Sequence, residues 1–281
     1  MPPRLLSNDE HSRDSAGLRY VYPVVSRRAG GVSVGINLNP NNACNWRCIY
    51  CQVPDLTRGG PPPIDLALLE GELCRFLDWA VAGDFMATRV PAGARRLVDV
   101  AFSGNGEPTS AAEFPQAVAV VHAALAARGL SDTVAVRLIT NGSLLDRASV
   151  RSGIASIGAN GGEVWFKVDS GTAQGMTRIN GSRTRPEAAS RRLGRCAALA
   201  STWVQTCVFR LDGDAPSSAE IDAYLELLAP HVPALAGVHL YGLARPSLQA
   251  EAPRLSRLDR ESIEAMAERI RHLGLTVRVS P

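Results

Sequence analysis

The sequence has no apolar run approaching the roughly 18 residues needed to cross a bilayer, and residues 1–14 carry no apolar core of a secretory leader. A cytoplasmic protein with no membrane partner is expected. Surplus charge is also scarce: 30 Lys and Arg against 27 Asp and Glu leave +3. That is too little for a dedicated nucleic-acid scaffold, which would show a concentrated basic face, so RNA is compatible as a partner but not favoured. There is no low-complexity tail and no phosphate loop of the form Gly-x-x-x-x-Gly-Lys-Ser/Thr, and no Ser/His/Asp triad can be assembled from local motifs. P-loop and hydrolase chemistry therefore have no support. Cysteine is absent before Cys44, and three of the six cysteines fall within eight residues. Such crowding suits metal binding better than disulfides in a reducing compartment.

What is present is a globular composition, 46% hydrophobic and 20% charged over 281 residues. At about 150 residues per domain this length is near two domains, although one α/β barrel can absorb all of it. Strand-like runs at 32–38, 97–102, 134–140, 163–168, 203–210, 238–241 and 275–279 alternate with helical patterns at 64–82, 113–128, 144–156, 186–200, 218–228 and 260–272. Pro186 suits a first helical turn, and Ser217 or Ser218 a cap. Strand–helix alternation implies a parallel sheet joined by crossovers, and six units are too few for a full eight-stranded barrel. An open doubly wound sheet and a partial barrel both fit, with residues 1–30 as an N-terminal extension and 31–281 as one core domain. The Pro- and Gly-rich stretch 58–63 reads as a loop.

Cys44, Cys48 and Cys51 directly follow the first of those strands. Three thiolates on one short loop can hold three corners of a four-iron four-sulfur cluster and leave the fourth iron open to a substrate or cofactor, whereas an electron-transfer cluster usually takes four cysteines. A structural zinc site would also want four closed ligands. Cys74, His122, His231 and His239 are the candidates for a fourth ligand in that alternative, and none carries a paired-ligand motif.

The CxxxCxxC spacing with Tyr50 before the last cysteine resembles the signature of the radical S-adenosylmethionine (SAM) superfamily. The wider text, Tyr22-Pro-Val-Val-Ser-Arg-Arg28, Gly35-Ile-Asn-Leu38, Gln52 and Ser103-Gly-Asn-Gly-Glu-Pro108, resembles its wyosine-synthase-like group of Fe-S oxidoreductases. The resemblance runs over about residues 20 to 281. It implies a partial (β/α)6 barrel of the TIM type, a 4Fe-4S cluster on the three cysteines, SAM on the open iron, and an electron donor such as flavodoxin or ferredoxin. Reductive cleavage of SAM to a 5'-deoxyadenosyl radical, which abstracts hydrogen from a substrate, would be the activity. Wyosine-type enzymes modify a tRNA base and use further cysteines upstream of this loop. Their absence here weakens transfer of that reaction. A glycyl-radical activase and a non-catalytic Fe-S electron-transfer module are the alternatives.

Sites in parallel α/β folds gather beyond the carboxyl ends of strands. There, Gly104 and Gly106 would let backbone approach a ligand, and Glu107 could accept from an ammonium; by resemblance this is the segment that binds the methionyl amino group, in a Gly-Asn-Gly-Glu variant. Lys167 and Asp169, two apart, should project together, as an intramolecular pair or toward a ligand; the resemblance implies the lysine for a carboxylate and the aspartate for ribose hydroxyls, with Asn141 as a second ribose contact. Tyr241 could border the adenine. Gln205, Arg210, Asp212 and Arg245 are weaker candidates, and Arg178, Asn180, Arg183 and Arg185 form a basic segment able to meet an anion.

Overall fold

Strand Ala135–Thr140 alternates buried and half-buried residues, which gives it one face for helices and another for a lined interior. Other strands of the sheet, such as Gly31–Ile36 and Ser201–Cys207, are buried almost throughout, as strands of a parallel sheet covered on both faces are. The computed structural model describes residues 5–6, 17–26 and 30–280. Its main sheet runs β1 (Val21–Ser26), β2 (Gly31–Ile36), β3 (Leu97–Phe102), β4 (Ala135–Thr140), β5 (Glu163–Lys167), β6 (Ser201–Cys207), β7 (Gly237–Tyr241) and β8 (Val277–Ser280), each paired with the next. β1 pairs antiparallel with β2, and all later pairs are parallel. The sheet curls into a partial barrel of the expected kind, and among the described residues no pairing joins β1 to β8.

The crossovers are α1 (Leu66–Val81), α2 (Phe85–Arg89), α3 (Phe114–Ala126), α4 (Ala148–Ala159), α5 (Ala173–Asn180), α6 (Pro186–Ala197), α7 (Ser218–Leu228) and α8 (Arg260–His272). Asp65 caps α1 by accepting the Leu68 N–H, and Leu69, Leu73, Phe76, Leu77 and Ala80 bury one face of it. Of the two serines considered, Ser217 caps α7, in a reciprocal capping box with Glu220. Pro186 opens α6. None of the helices among the described residues is long and apolar enough to cross a membrane.

Val34, Val100, Val136, Leu138, Val164, Phe166, Val204, Val238 and Leu240 face the helices and form the core. The opposite face carries a polar and aromatic ladder. Ser33 donates to Asp99, Asp99 pairs with Arg137, and Arg137 reaches Glu163 at 3.0 Å. Arg137 also lies over the Trp165 ring, while His239 sits between Trp165 and Trp203 at 4.5 and 4.7 Å. Burial pushes the Asp99 carboxyl upward against the pull of Arg137 and Ser33. These side chains fill the barrel beneath the strand ends and make a floor for what lies above.

Within the stretch expected to be an extension, residues 21–26 form the edge strand β1. Pro23 hid it, because proline lacks the N–H that an interior strand must donate, and an edge position removes that objection. Tyr22 lies over Gly35, where a Cβ would come within 2.1 Å of the ring. Its hydroxyl meets the Ser103 Oγ at 2.8 Å. Arg27 and Arg28 of the quoted resemblance lie outside the described residues.

Burial holds His122 of α3 and His231, just past α7, below the ordinary imidazole value of 6.5; a Ser190 contact partly opposes this for His231. The fold therefore favours their neutral forms, the unfolded chain takes up protons first on acidification, and stability is lost as pH falls through the region below about 6.5. Urea unfolding should show the midpoint dropping between about pH 7 and 5.5. The drop should be smaller in the His122→Gln, His231→Gln double variant.

Candidate active site

The connection from β2 to α1 carries the three cysteines and is shaped mainly by asparagines. The Asn39 amide donates to the Ala43 carbonyl at 2.9 Å, its own N–H goes to Asn37 Oδ1, and its carbonyl accepts the Asn42 N–H at 3.1 Å. Residues Ala43–Cys44 then pair in parallel with Thr57–Arg58, which closes the loop at its base. A turn from Cys51 N–H to the Cys48 carbonyl, 3.0 Å, brings the later cysteines together. From outside, Ser247 donates to the Ile49 carbonyl and the Leu248 N–H to that of Cys51, while Gln52 reaches the Arg245 carbonyl. Gln52 and Arg245 thus hold the loop.

Cys44, Cys48 and Cys51 line one cavity of about 240 Å³, together with Tyr50, Gly104, Asn105, Gly106, Glu107, Asn141, Lys167, Gln205 and Tyr241. Every residue singled out at the strand ends on the strength of the resemblance, except Asp169, lines this cavity. Asp169 stands just behind it. None of Cys74, His122, His231 and His239 lines it; Cys74 receives the Arg128 guanidinium on α1, and His239 belongs to the floor. Arg210 pairs with Asp259 and Asp212 with Arg254 at the surface. A larger cavity of about 460 Å³ lies behind the wall formed by Asp169, Cys207 and Phe209. None of the three loop cysteines lines that one.

Several of these residues also have work within the chain itself. Gly104 and Gly106 are needed because the chain approaches itself. A Cβ on Gly106 would lie 2.1 Å from the Ala43 carbonyl, and one on Gly104, whose φ is +149°, 2.4 Å from Asn37 Oδ1. Their loop is therefore pressed against the base of the cysteine loop. Glu107 is 2% exposed and already accepts from the Thr109 N–H and hydroxyl, the Thr140 hydroxyl and the Asn141 N–H. Burial pushes its carboxyl upward, and those hydrogen bonds oppose the push. Asn141 donates to Asn45 at 2.8 Å and accepts from Ser143, so it too ties loops together.

Asp169 is the most enclosed of the set, its side chain 0% exposed. One oxygen accepts the Cys207 N–H at 3.0 Å; the other accepts the Tyr50 hydroxyl at 2.5 Å and the Asn180 amide at 2.7 Å. Lys167 stands 3.9 Å away, 3.4 Å from the Tyr241 hydroxyl and 4.9 Å above the Tyr50 ring centre. Burial works to lower the ammonium's pKa, but Asp169, Tyr241, Cys48 and Cys207 together carry it above the ordinary value. It is a fixed cation. Burial likewise pushes the Cys44 thiol up to about 11 and that of Cys48 up to about 12, so a metal must displace their protons to bind.

Asn180 was grouped by sequence with Arg178, Arg183 and Arg185, but it separates from them. Arg178 pairs with Glu220, and Arg183 and Arg185 are exposed, while Asn180 is buried beside Cys48. A compositional signal for the site was also available: Lys167 is the single lysine in the chain, and the other 29 of the 30 basic residues are arginine.

Among solved structures, a radical SAM methyltransferase from Sphaerobacter thermophilus aligns with 92% of this chain and 68% of its own, at 15% identity and a TM-score of 0.61. A hexahistidine-tagged anSMEcpe with bound AdoMet aligns with 75% of this chain and 51% of its own, at 16% identity and a TM-score of 0.50. The fold is thus the partial barrel found in radical SAM enzymes. No family model matches the sequence. Among curated proteins, the GTPase Obg of Brachyspira hyodysenteriae is 27% identical over 149 residues, which are 53% of this chain and 19% of that protein. The chain spans about a fifth of that relative's length.

Proposed function

We propose that this protein is a radical SAM enzyme, with a 4Fe-4S cluster on Cys44, Cys48 and Cys51 and SAM bound over it. The observation that carries this reading is the convergence of three thiols from one loop on a cavity whose remaining wall offers a cation, hydroxyl and amide groups and closely packed glycine backbone. The donor set suits iron–sulfur chemistry, since thiolates are the usual cluster ligands and three leave one iron for a further ligand. Asn105, on the cavity wall, has a buried Oδ1 without a hydrogen-bond partner, which suits a ligand bearing N–H or O–H groups. When bound, the cluster and SAM would supply one-electron cleavage of the sulfonium and a 5'-deoxyadenosyl radical for hydrogen abstraction.

The chain's own residues bind and orient. Lys167, held by Asp169 and Tyr241, would meet the amino-acid carboxylate of SAM. Glu107 would keep the 104–107 loop in shape for the ammonium, with Asn141 serving the ribose and Tyr241 the base. Asp169 fixes Tyr50, Lys167 and Asn180 instead of reaching a ribose. The wyosine-like resemblance of residues 22–28 and 103–108 assigns a subgroup within this class, and the substrate is open. An oxidoreductase in the cytoplasm, supplied by a flavodoxin or ferredoxin, completes the reading. Anaerobic reconstitution followed by dithionite and SAM should yield 5'-deoxyadenosine. No product from a fully loaded chain would defeat the proposal.

A further inference from the structure

Asn180 closes α5 and is 1% exposed. Its carbonyl accepts the Arg47 N–H at 2.9 Å, and that of Ile179 accepts the Ile49 N–H at 2.8 Å, so the last turn of α5 grips the cysteine loop on both sides of Cys48. Arg58 reinforces the grip by donating to the carbonyls of Asn45 and Gly181 at 3.2 and 2.6 Å. Gly181 turns the chain away in the left-handed region at φ +59°. Backbone placement therefore leaves the Asn180 side chain little freedom. Its Nδ2 lies 3.3 Å from the Cys48 Sγ and 2.7 Å from Asp169 Oδ2.

An amide nitrogen carries two hydrogens, and here each has an acceptor. Turned over, the amide would set its oxygen against a carboxylate and against a sulfur that is a thiolate when it binds iron. The neighbours' chemistry thus fixes the orientation. Asp169 is itself held by Tyr50, Cys207 and Lys167. Cys44 receives backbone donors, the Trp46 N–H at 3.4 Å and that of Glu107, which any residue but proline at those positions would provide.

We propose that Asn180 is a positioning residue that donates an N–H to the iron-bound Cys48 sulfur and raises the reduction potential of the cluster, with Asp169 aiming the amide. This rests on the cluster reading above. Hydrogen bonds to the sulfurs are one of the protein's levers on cluster potential. The donor draws electron density from the thiolate, and the reduced cluster, being more negative, gains more from it. Asn180 therefore eases entry of the electron, while burial of the site keeps the potential low.

The test uses the full chain, wild type, Asn180→Leu and Asn180→Gln, reconstituted anaerobically. Iron and sulfide analysis comes first, then an EPR-monitored redox titration and resonance Raman of the Fe–S(Cys) stretches. Asn180→Leu should load iron fully, with its reduction equilibrium about tenfold less favourable, about 59 mV more negative for one electron, and a changed Fe–S stretch. Asn180→Gln should recover part of the shift. A fully loaded Asn180→Leu chain with the wild-type potential overturns the proposal. Should that variant bind no iron, wild-type protein carrying asparagine with a ¹⁵N side chain decides: ¹⁵N coupling to the reduced cluster in pulsed EPR supports the contact, and no coupling overturns it. Wild-type protein that binds no iron overturns the cluster reading itself, and this inference with it.

Discussion

Replacing Cys44, Cys48 or Cys51 with Ala should reduce bound iron and sulfide to background and abolish 5'-deoxyadenosine formation, whereas Cys74→Ala, Cys196→Ala and Cys207→Ala should keep both. The first three sulfurs line one cavity. The others are dispersed: Cys74 sits on α1 against Arg128, Cys196 on α6 beneath Thr202, and Cys207 at the end of β6, packed with Ile49 and Phe209. Cys207 is the informative control, because it stands close behind the site yet does not line the cavity. Its loss should lower stability through a small packing defect, on the order of 1 kcal/mol, without removing iron. Equal loss of iron across all six variants would contradict the assignment.

Lys167→Met should destabilise the apo chain by about 3–5 kcal/mol, because it leaves the enclosed carboxylate of Asp169 without its cation. The loaded variant should show no measurable SAM binding by calorimetric titration. Adding Asp169→Asn should return much of the stability, since the uncompensated charge is gone, but not the binding. This non-additivity separates the lysine's part in the fold from its part at the ligand. Wild-type stability in the single variant, measured by urea unfolding, would show that the pair carries no such load.

The cysteine loop, the parallel order of the sheet and most crossover helices could be read from the chain, because each rests on local pattern: thiol spacing, runs of β-branched residues, and caps such as Ser217 and Pro186. Some elements escaped for local reasons as well, α2 among them at only five residues. β1 contains Pro23, and α5 is eight residues long with an internal Gly175, too short and too weak a helix former to stand out. What the sequence hides is occupancy. Glu107, Asn141 and Asp169 look available for a ligand as residue types, and their oxygens also accept from Thr109, Thr140, Ser143, Tyr50 and Asn180, partners 2 to 119 positions away. The glycines of the 104–107 loop are a like case, because they make room for another part of the chain as well as lining the cavity.

The solitary lysine has a practical consequence. Growth on lysine labelled with ¹⁵N at Nζ would tag one side chain alone, so a ¹⁵N spectrum of the protein should contain a single Nζ resonance, free of overlap. Because that nitrogen sits between Tyr50, Asp169 and Tyr241, ring-current and charge effects make its chemical shift a gauge of whatever enters beside it. Fragment screening could be followed on that one line.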